Sequence, residues 1–219
     1  LVDTEIMAKA PARFLAAGMG DALATWFEAE SCRLSRGPNI AGDAGSMTAH
    51  ALARLCYETV RDWGLAALTA CEAGVVTPAL ERVVEANTLL SGLGFESGGL
   101  GAAHSVHNGL TALAGVRGRY HGEKVAFGVL ASLYLTDKPL AVIDEVYALC
   151  AALGLPTTLA DLGLDGVSAE ELLRVAEKAC APGESIHNEP VEISPGLVRA
   201  ALVAADAEGR RRKPAAGRA

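Results

Sequence analysis

Aromatic residues are scarce, at 5% of the 219 residues. Charged residues interrupt every apolar run before it is long enough to cross a bilayer, so no membrane partner is expected. The first residues, Leu1-Val2-Asp3-Thr4-Glu5, show no basic region followed by an apolar stretch. A secretory signal is therefore not expected. The five cysteines (Cys32, Cys56, Cys71, Cys150 and Cys180) are odd in number and contain no C-x-x-C pair. Most sit among Ala, Leu and Val, which reads as buried, reduced thiols in a cytoplasmic protein. Cations are outnumbered, and the net charge of −7 argues against nucleic acid as a partner. There are no internal repeats, no Ser/His/Asp arrangement and no phosphate loop. The cluster Gly98-Gly99-x-Gly101 does not have dinucleotide-fingerprint spacing. No series of alternating strands is long enough for a sheet.

What is present is helical. Apolar residues make up 51% of the chain, and alanine is abundant. The expected fold class is all-α, a helical bundle. Residues 1–12 are expected to be extended, with Leu1 to Thr4 resembling the tail of a strand. The periodicity predicts helices over 21–33 and 46–71, with a break near Gly64. Thr77-Pro78 reads as the N-cap and first position of the next helix. A glycine-dense stretch from Ser91 to Gly101 leads into a helix over 100–114, and Gly115 to Gly118 reads as a loop. Further helices are expected from His121 through Leu133, over 139–152 and 168–180, and from Pro195 to Ala207. The expected division is a helical domain over 1–208 and a basic flexible tail over 209–219. That tail carries Arg210, Arg211, Arg212, Lys213 and Arg218 and no acid.

Three residues stand out chemically. Asp21 lies in glycine-flanked, apolar surroundings; it reads either as a helix cap or as a buried charge that needs a partner. His104 and His107 are three apart and share a helix face. The glycines before them permit close backbone approach, as a cofactor or substrate face would require. His121 opens a helix. If Asp21, His104 and His121 converge, one carboxylate and two imidazoles form a ligand set suited to Zn²⁺, and less exclusively to Fe²⁺ or Mn²⁺. Three protein ligands leave a coordination position open, which marks a catalytic metal. His50 and His187 read as surface or supporting residues.

Several long segments carry a resemblance. They are Asp3 to Glu28, with Pro11, Ala16-x-Gly18-x-x-Asp21 and Glu28; Gly94-Phe95-Glu96-Ser97-Gly98-Gly99-Leu100-Gly101-Ala102-Ala103-His104-Ser105-Val106-His107-Asn108-Gly109; and His121-Gly122-Glu123-Lys124-Val125-Ala126-Phe127-Gly128. Together they resemble glycerol dehydrogenases of the iron-containing alcohol dehydrogenase family, over that family's α-helical metal-binding portion. The resemblance implies that Asp21, His104 and His121 ligate zinc and contact substrate, and that Phe95 packs near the substrate. It implies oxidation of glycerol or a related vicinal diol with NAD, in a homo-oligomer. His107 is the candidate catalytic residue, relaying a proton or orienting a ligand. Iron-dependent cousins place a His one turn after the Asp; Thr25 stands there, which favours zinc. The family's N-terminal nucleotide-binding domain is expected to be absent, and no residue is assigned to NAD. Two alternatives remain: a non-redox sugar-phosphate cyclase resembling dehydroquinate synthase, and a non-catalytic metal-binding or assembly remnant.

Overall fold

Helix starts are written into this chain as side-chain caps, and the computed structural model, which describes residues 1–213, shows them in use. Ser46, Thr77, Ser168 and Ser194 each accept a hydrogen bond from a backbone N–H of the first turn that follows. They open α3 (Met47–Glu72), α4 (Pro78–Glu85), α9 (Ala169–Ala179) and α10 (Pro195–Arg212). The remaining α-helices are α1 (Thr4–Lys9), α2 (Ala12–Ser35), α5 (Ser91–Gly98), α6 (Ala102–Leu110), α7 (His121–Leu135) and α8 (Leu140–Ala152). Among the described residues there is no strand, only one isolated bridge between Pro38 and Ala44. The fold is all-α, as expected. No helix among the described residues is long and apolar enough to cross a membrane.

The N-terminal expectation was wrong. Residues 4–9 form α1 because Asp3 accepts from the Glu5 N–H at 2.9 Å and caps it. Ala8 is buried in the core, and α1 packs on α3 and α4. Gly64 does not break α3. It is buried, and a side chain there would crowd Met19 and Leu153, so its smallness serves packing. The glycine-dense stretch is also largely helical. Gly94 and Gly98 face Thr25, Ala53 and Ala29, and a Cβ at Gly94 would lie 2.6 Å from Thr25 Cγ2. Close packing of α5 on α2 and α3 thus outweighs the roughly 1 kcal/mol helix penalty of each glycine. Between α4 and α5, residues Ala86–Leu90 widen into a π-turn.

The last helix continues to Arg212, past the expected end at Ala207 and into the segment expected to be a tail. Arg210 pairs with Asp206 at 2.7 Å and Arg212 with Glu208 at 2.6 Å, each one turn back. These cations also complement the negative end of the helix dipole. Residues 214–219 of that segment, Arg218 included, lie outside the described residues. The cysteines are free, and four are buried.

Helix α2 is the central element, flanked by α3, α5 and α7. Met19, Leu23 and Phe27 bury its core face. Helix α7 lies against both α2 and α6. Glycine sets how closely. A Cβ at Gly122 would meet the Ala17 carbonyl oxygen at 1.8 Å, and one at Gly128 would meet that of Ala103 at 2.4 Å. These two contacts bring α2, α6 and α7 together at one place.

Candidate metal centre

Asp21 sits in the middle of α2, so the capping reading fails. His104 lies in the first turn of α6, and His121 is the first residue of α7. Their donor atoms converge within 4.8 Å of one another. The Nε2 atoms of His104 and His121 are each 3.3 Å from Asp21 Oδ1. That oxygen is buried and has no hydrogen-bond partner. Two donors bound to one tetrahedral zinc at about 2.0–2.1 Å lie about 3.3–3.4 Å apart. An unsatisfied buried oxygen facing two imidazole nitrogens at that spacing fits a shared metal ion.

The electrostatics agree. Burial works to raise the Asp21 carboxyl, but the two facing imidazoles outweigh it and hold it well below the usual carboxylate range. Burial works to lower His104, but Glu28 and Asp21 on its two sides outweigh it and raise the imidazole to about 10. The point where the donors meet favours positive charge, from a proton or from a metal ion.

Each histidine is held from behind. Gly101, the N-cap of α6, has no side chain to offer. Instead Glu28, buried on α2, accepts from the N–H groups of Gly101 (3.0 Å) and His104 (2.9 Å). His121 is placed by the start of α7. There Glu123 accepts from the Tyr120 N–H at 2.8 Å and receives Arg13 of α2 in a two-point ion pair at 2.6 and 2.9 Å. Tyr120 packs edge-on against Phe14.

No protein-family model matches the chain. Among curated relatives, it is 66% identical over 213 residues to the glycerol dehydrogenase of Thermotoga maritima, covering 97% of this chain and 58% of that enzyme. The chain is a homologue of the C-terminal part of glycerol dehydrogenases. It is also 51% identical over 211 residues to a glycolaldehyde reductase of Halobacterium salinarum, covering 96% of this chain and 58% of that protein. The crystal structure of a probable glycerol dehydrogenase from Sinorhizobium meliloti superposes with a TM-score of 0.94 at 49% identity, over 96% of this chain and 59% of that one. The chain thus spans a little under three-fifths of the length of the glycerol dehydrogenase relatives it matches.

The other candidate residues of this glycerol dehydrogenase homologue are placed unequally. His107 shares the His104 face, and its ring centroid is 4.2 Å from that of His121. Burial, then His121 and Lys124, push it down to about 4, so it is a neutral imidazole at neutral pH. Phe95 is half-buried on α5, outside the donor triad and its hydrogen-bond partners. The Thr25 hydroxyl is buried against Ser91 at 2.9 Å. The glycines preceding His104 face protein rather than an open surface. A Cβ at Gly99 would meet Cys32, and one at Gly101 would meet Glu189 Oε1.

Glu189 escaped the sequence reading. It follows His187-Asn188 in an irregular segment, 85 positions from His104, and no local pattern links the two. Its buried carboxyl accepts from the Ala102 N–H at 2.6 Å and from Ser31 Oγ at 2.5 Å. Burial raises it to about 7, with Ser31 and the Ala102 N–H opposing. A carboxyl raised above its ordinary value of 4.5 stabilises the fold most below that value, and loses its contribution as pH rises towards 7. Glu189→Gln is therefore expected to flatten the fall in stability between about pH 4.5 and 7. Urea unfolding midpoints measured across that range, with chelator present, check this; parallel wild-type and variant curves would contradict it.

Proposed function

We propose that this chain forms the metal- and substrate-binding part of a zinc-dependent, NAD-linked dehydrogenase acting on glycerol or a related vicinal diol. The observation that carries the reading is the convergence of Asp21 Oδ1, His104 Nε2 and His121 Nε2 on one point. Support for zinc over iron comes from the donor set and from Thr25. At the position where a fourth donor would stand, one turn after Asp21, its hydroxyl is engaged by Ser91.

A zinc ion held by Asp21, His104 and His121 would supply Lewis acidity, lowering the pKa of a substrate hydroxyl. NAD is the proposed hydride acceptor. The described residues contain no strand, so a strand-turn-helix dinucleotide cradle is not among them, and no residue is assigned to NAD. The chain's own residues hold and orient. Asp21 contributes the negative charge of the ligand set, and His104 and His121 contribute neutral donors. His107, neutral and packed on His121, is proposed to accept or relay the proton released from the substrate hydroxyl. Phe95 is proposed to pack against the diol carbons, which its half-buried position and the resemblance support. A homo-oligomer is proposed on the same resemblance.

Relatives named as a dehydrogenase and a reductase favour redox chemistry over a cyclase reaction. The glycolaldehyde reductase also makes a two-carbon hydroxyaldehyde a substrate worth testing in the reverse direction. The test is NAD⁺ reduction with glycerol and zinc at mildly alkaline pH. Zinc is expected to bind stoichiometrically and to be lost in His121→Ala, and any turnover the chain supports is expected to disappear on chelation and to return with zinc. Turnover that survives complete metal removal would refute the proposal.

A further inference from the structure

We infer that Glu28 is a positioning residue of the metal centre: its carboxylate fixes the tautomer and ring plane of His104, and thereby sets how tightly the site holds a divalent cation. This rests on reading Asp21, His104 and His121 as the ligands.

The geometry singles out Glu28. It is 1% exposed, and every side-chain hydrogen bond it makes goes to one short segment. Oε1 accepts from the N–H groups of Gly101 and His104, and Oε2 lies 2.6 Å from His104 Nδ1. A carboxylate with both oxygens engaged this way offers only acceptors, so Nδ1 is the donor and is the nitrogen that keeps its proton when the ring becomes neutral to bind a metal. The lone pair then lies on Nε2, the nitrogen that faces Asp21 Oδ1. One rigid carboxylate grips both the backbone and the ring of the same residue. The position of His104 and the direction of its free nitrogen are therefore set together. Hydrogen bonds of this kind, from a ligating imidazole to a carboxylate, are worth about 10–100-fold in metal affinity.

Glu189 separates two effects that Glu28 combines. It holds the same helix start through the Ala102 N–H, but its hydrogen bonds go to Ala102 and Ser31, not to the His104 ring. In Glu189→Gln both bonds persist, because the amide oxygen accepts from Ala102 and the amide N–H₂ donates to Ser31 Oγ. In Glu28→Gln no orientation satisfies all three donors. Either the amide N–H₂ confronts the backbone N–H groups, or it donates to Nδ1 and forces the proton onto Nε2, where it blocks coordination.

The experiment is zinc titration of the metal-free 219-residue protein against a competing chelator, for wild type, Glu28→Gln and Glu189→Gln. Long-range ¹⁵N–¹H spectra, recorded at a pH above about 10 where the His104 ring is neutral, read its tautomer in each. The expected result is a 10–100-fold loss of zinc affinity in Glu28→Gln, with departure from the Nδ1–H tautomer. Glu189→Gln is expected to stay within about threefold of wild type, a change of under ~0.7 kcal/mol. Unchanged affinity in Glu28→Gln would overturn the inference. So would equal losses in both variants with the tautomer kept, since that would trace the effect to helix placement. Wild type supplies a check that survives a misfolded variant: a proton on His104 Nε2 rather than Nδ1 sinks the inference. Failure of wild type itself to bind zinc would remove the ligand reading, and this inference with it.

Discussion

Asp21→Ala is expected to abolish tight zinc binding, lowering affinity by at least about a thousandfold, on the order of 4 kcal/mol. Asp21 is the only anionic member of the donor set, and its buried Oδ1 stands between the two imidazole nitrogens. Without it, two histidines remain, one of them half-exposed, and neither carries charge to offset that of the cation. The cleanest readout is linkage. Zinc at about 1,000 times its dissociation constant is expected to stabilise the native wild type by about 4 kcal/mol. That increment in thermal or urea stability should vanish in Asp21→Ala and recover only in part in Asp21→Asn, which keeps the shape but not the charge. A variant that still gained the full increment would show that the metal sits elsewhere.

The largest structural effect is expected from a single methyl group. In Gly122→Ala the new Cβ would lie 1.8 Å from the Ala17 carbonyl oxygen, 2.7 Å from its carbon and 3.2 Å from the Asp21 nitrogen. Those atoms belong to the backbone of α2 and cannot rotate away. Helix α7 must withdraw from α2, and the withdrawal separates His121 from Asp21. Overpacking in cores costs about 1–3 kcal/mol and occasionally more; here about 3 kcal/mol or more is expected, together with loss of zinc binding. Gly118→Ala is the matched control. No atom lies within 4 Å of a Cβ there, and a change of under about 0.5 kcal/mol is expected. Urea denaturation and zinc titration of both variants decide the matter. Wild-type behaviour in Gly122→Ala would mean that α2 and α7 are not held by this contact.

Much of the helical content was legible because it is local. The caps at Thr77-Pro78 and Ser168, and the apolar periodicity of α3, α7 and α8, act within one or two turns. Where the reading slipped, a distant partner had overridden a local preference. Gly64 and the glycines of α5 look like helix breakers, but they are demanded by neighbouring helices. The N-terminal segment looked extended until α3 and α4 supplied a surface for α1. Arg210 to Arg212 looked like a solvated run, but acids one turn upstream hold them in helix.

The site divides in the same way. Residue type nominated Asp21, His104 and His121 only together with the resemblance of the long segments that carry them to a dehydrogenase family. The all-α class likewise follows from composition and periodicity, which are properties of the chain taken a few residues at a time. Only the tertiary structure decided that the three donors meet, because the close approaches at Gly122 and Gly128 are contacts between helices far apart in the chain. Only it revealed the roles of Glu28, which the sequence offered merely as part of a motif, and of Glu189, which no local pattern marked. Burial and the unpaired N–H groups at the start of α6 make them part of the frame around His104.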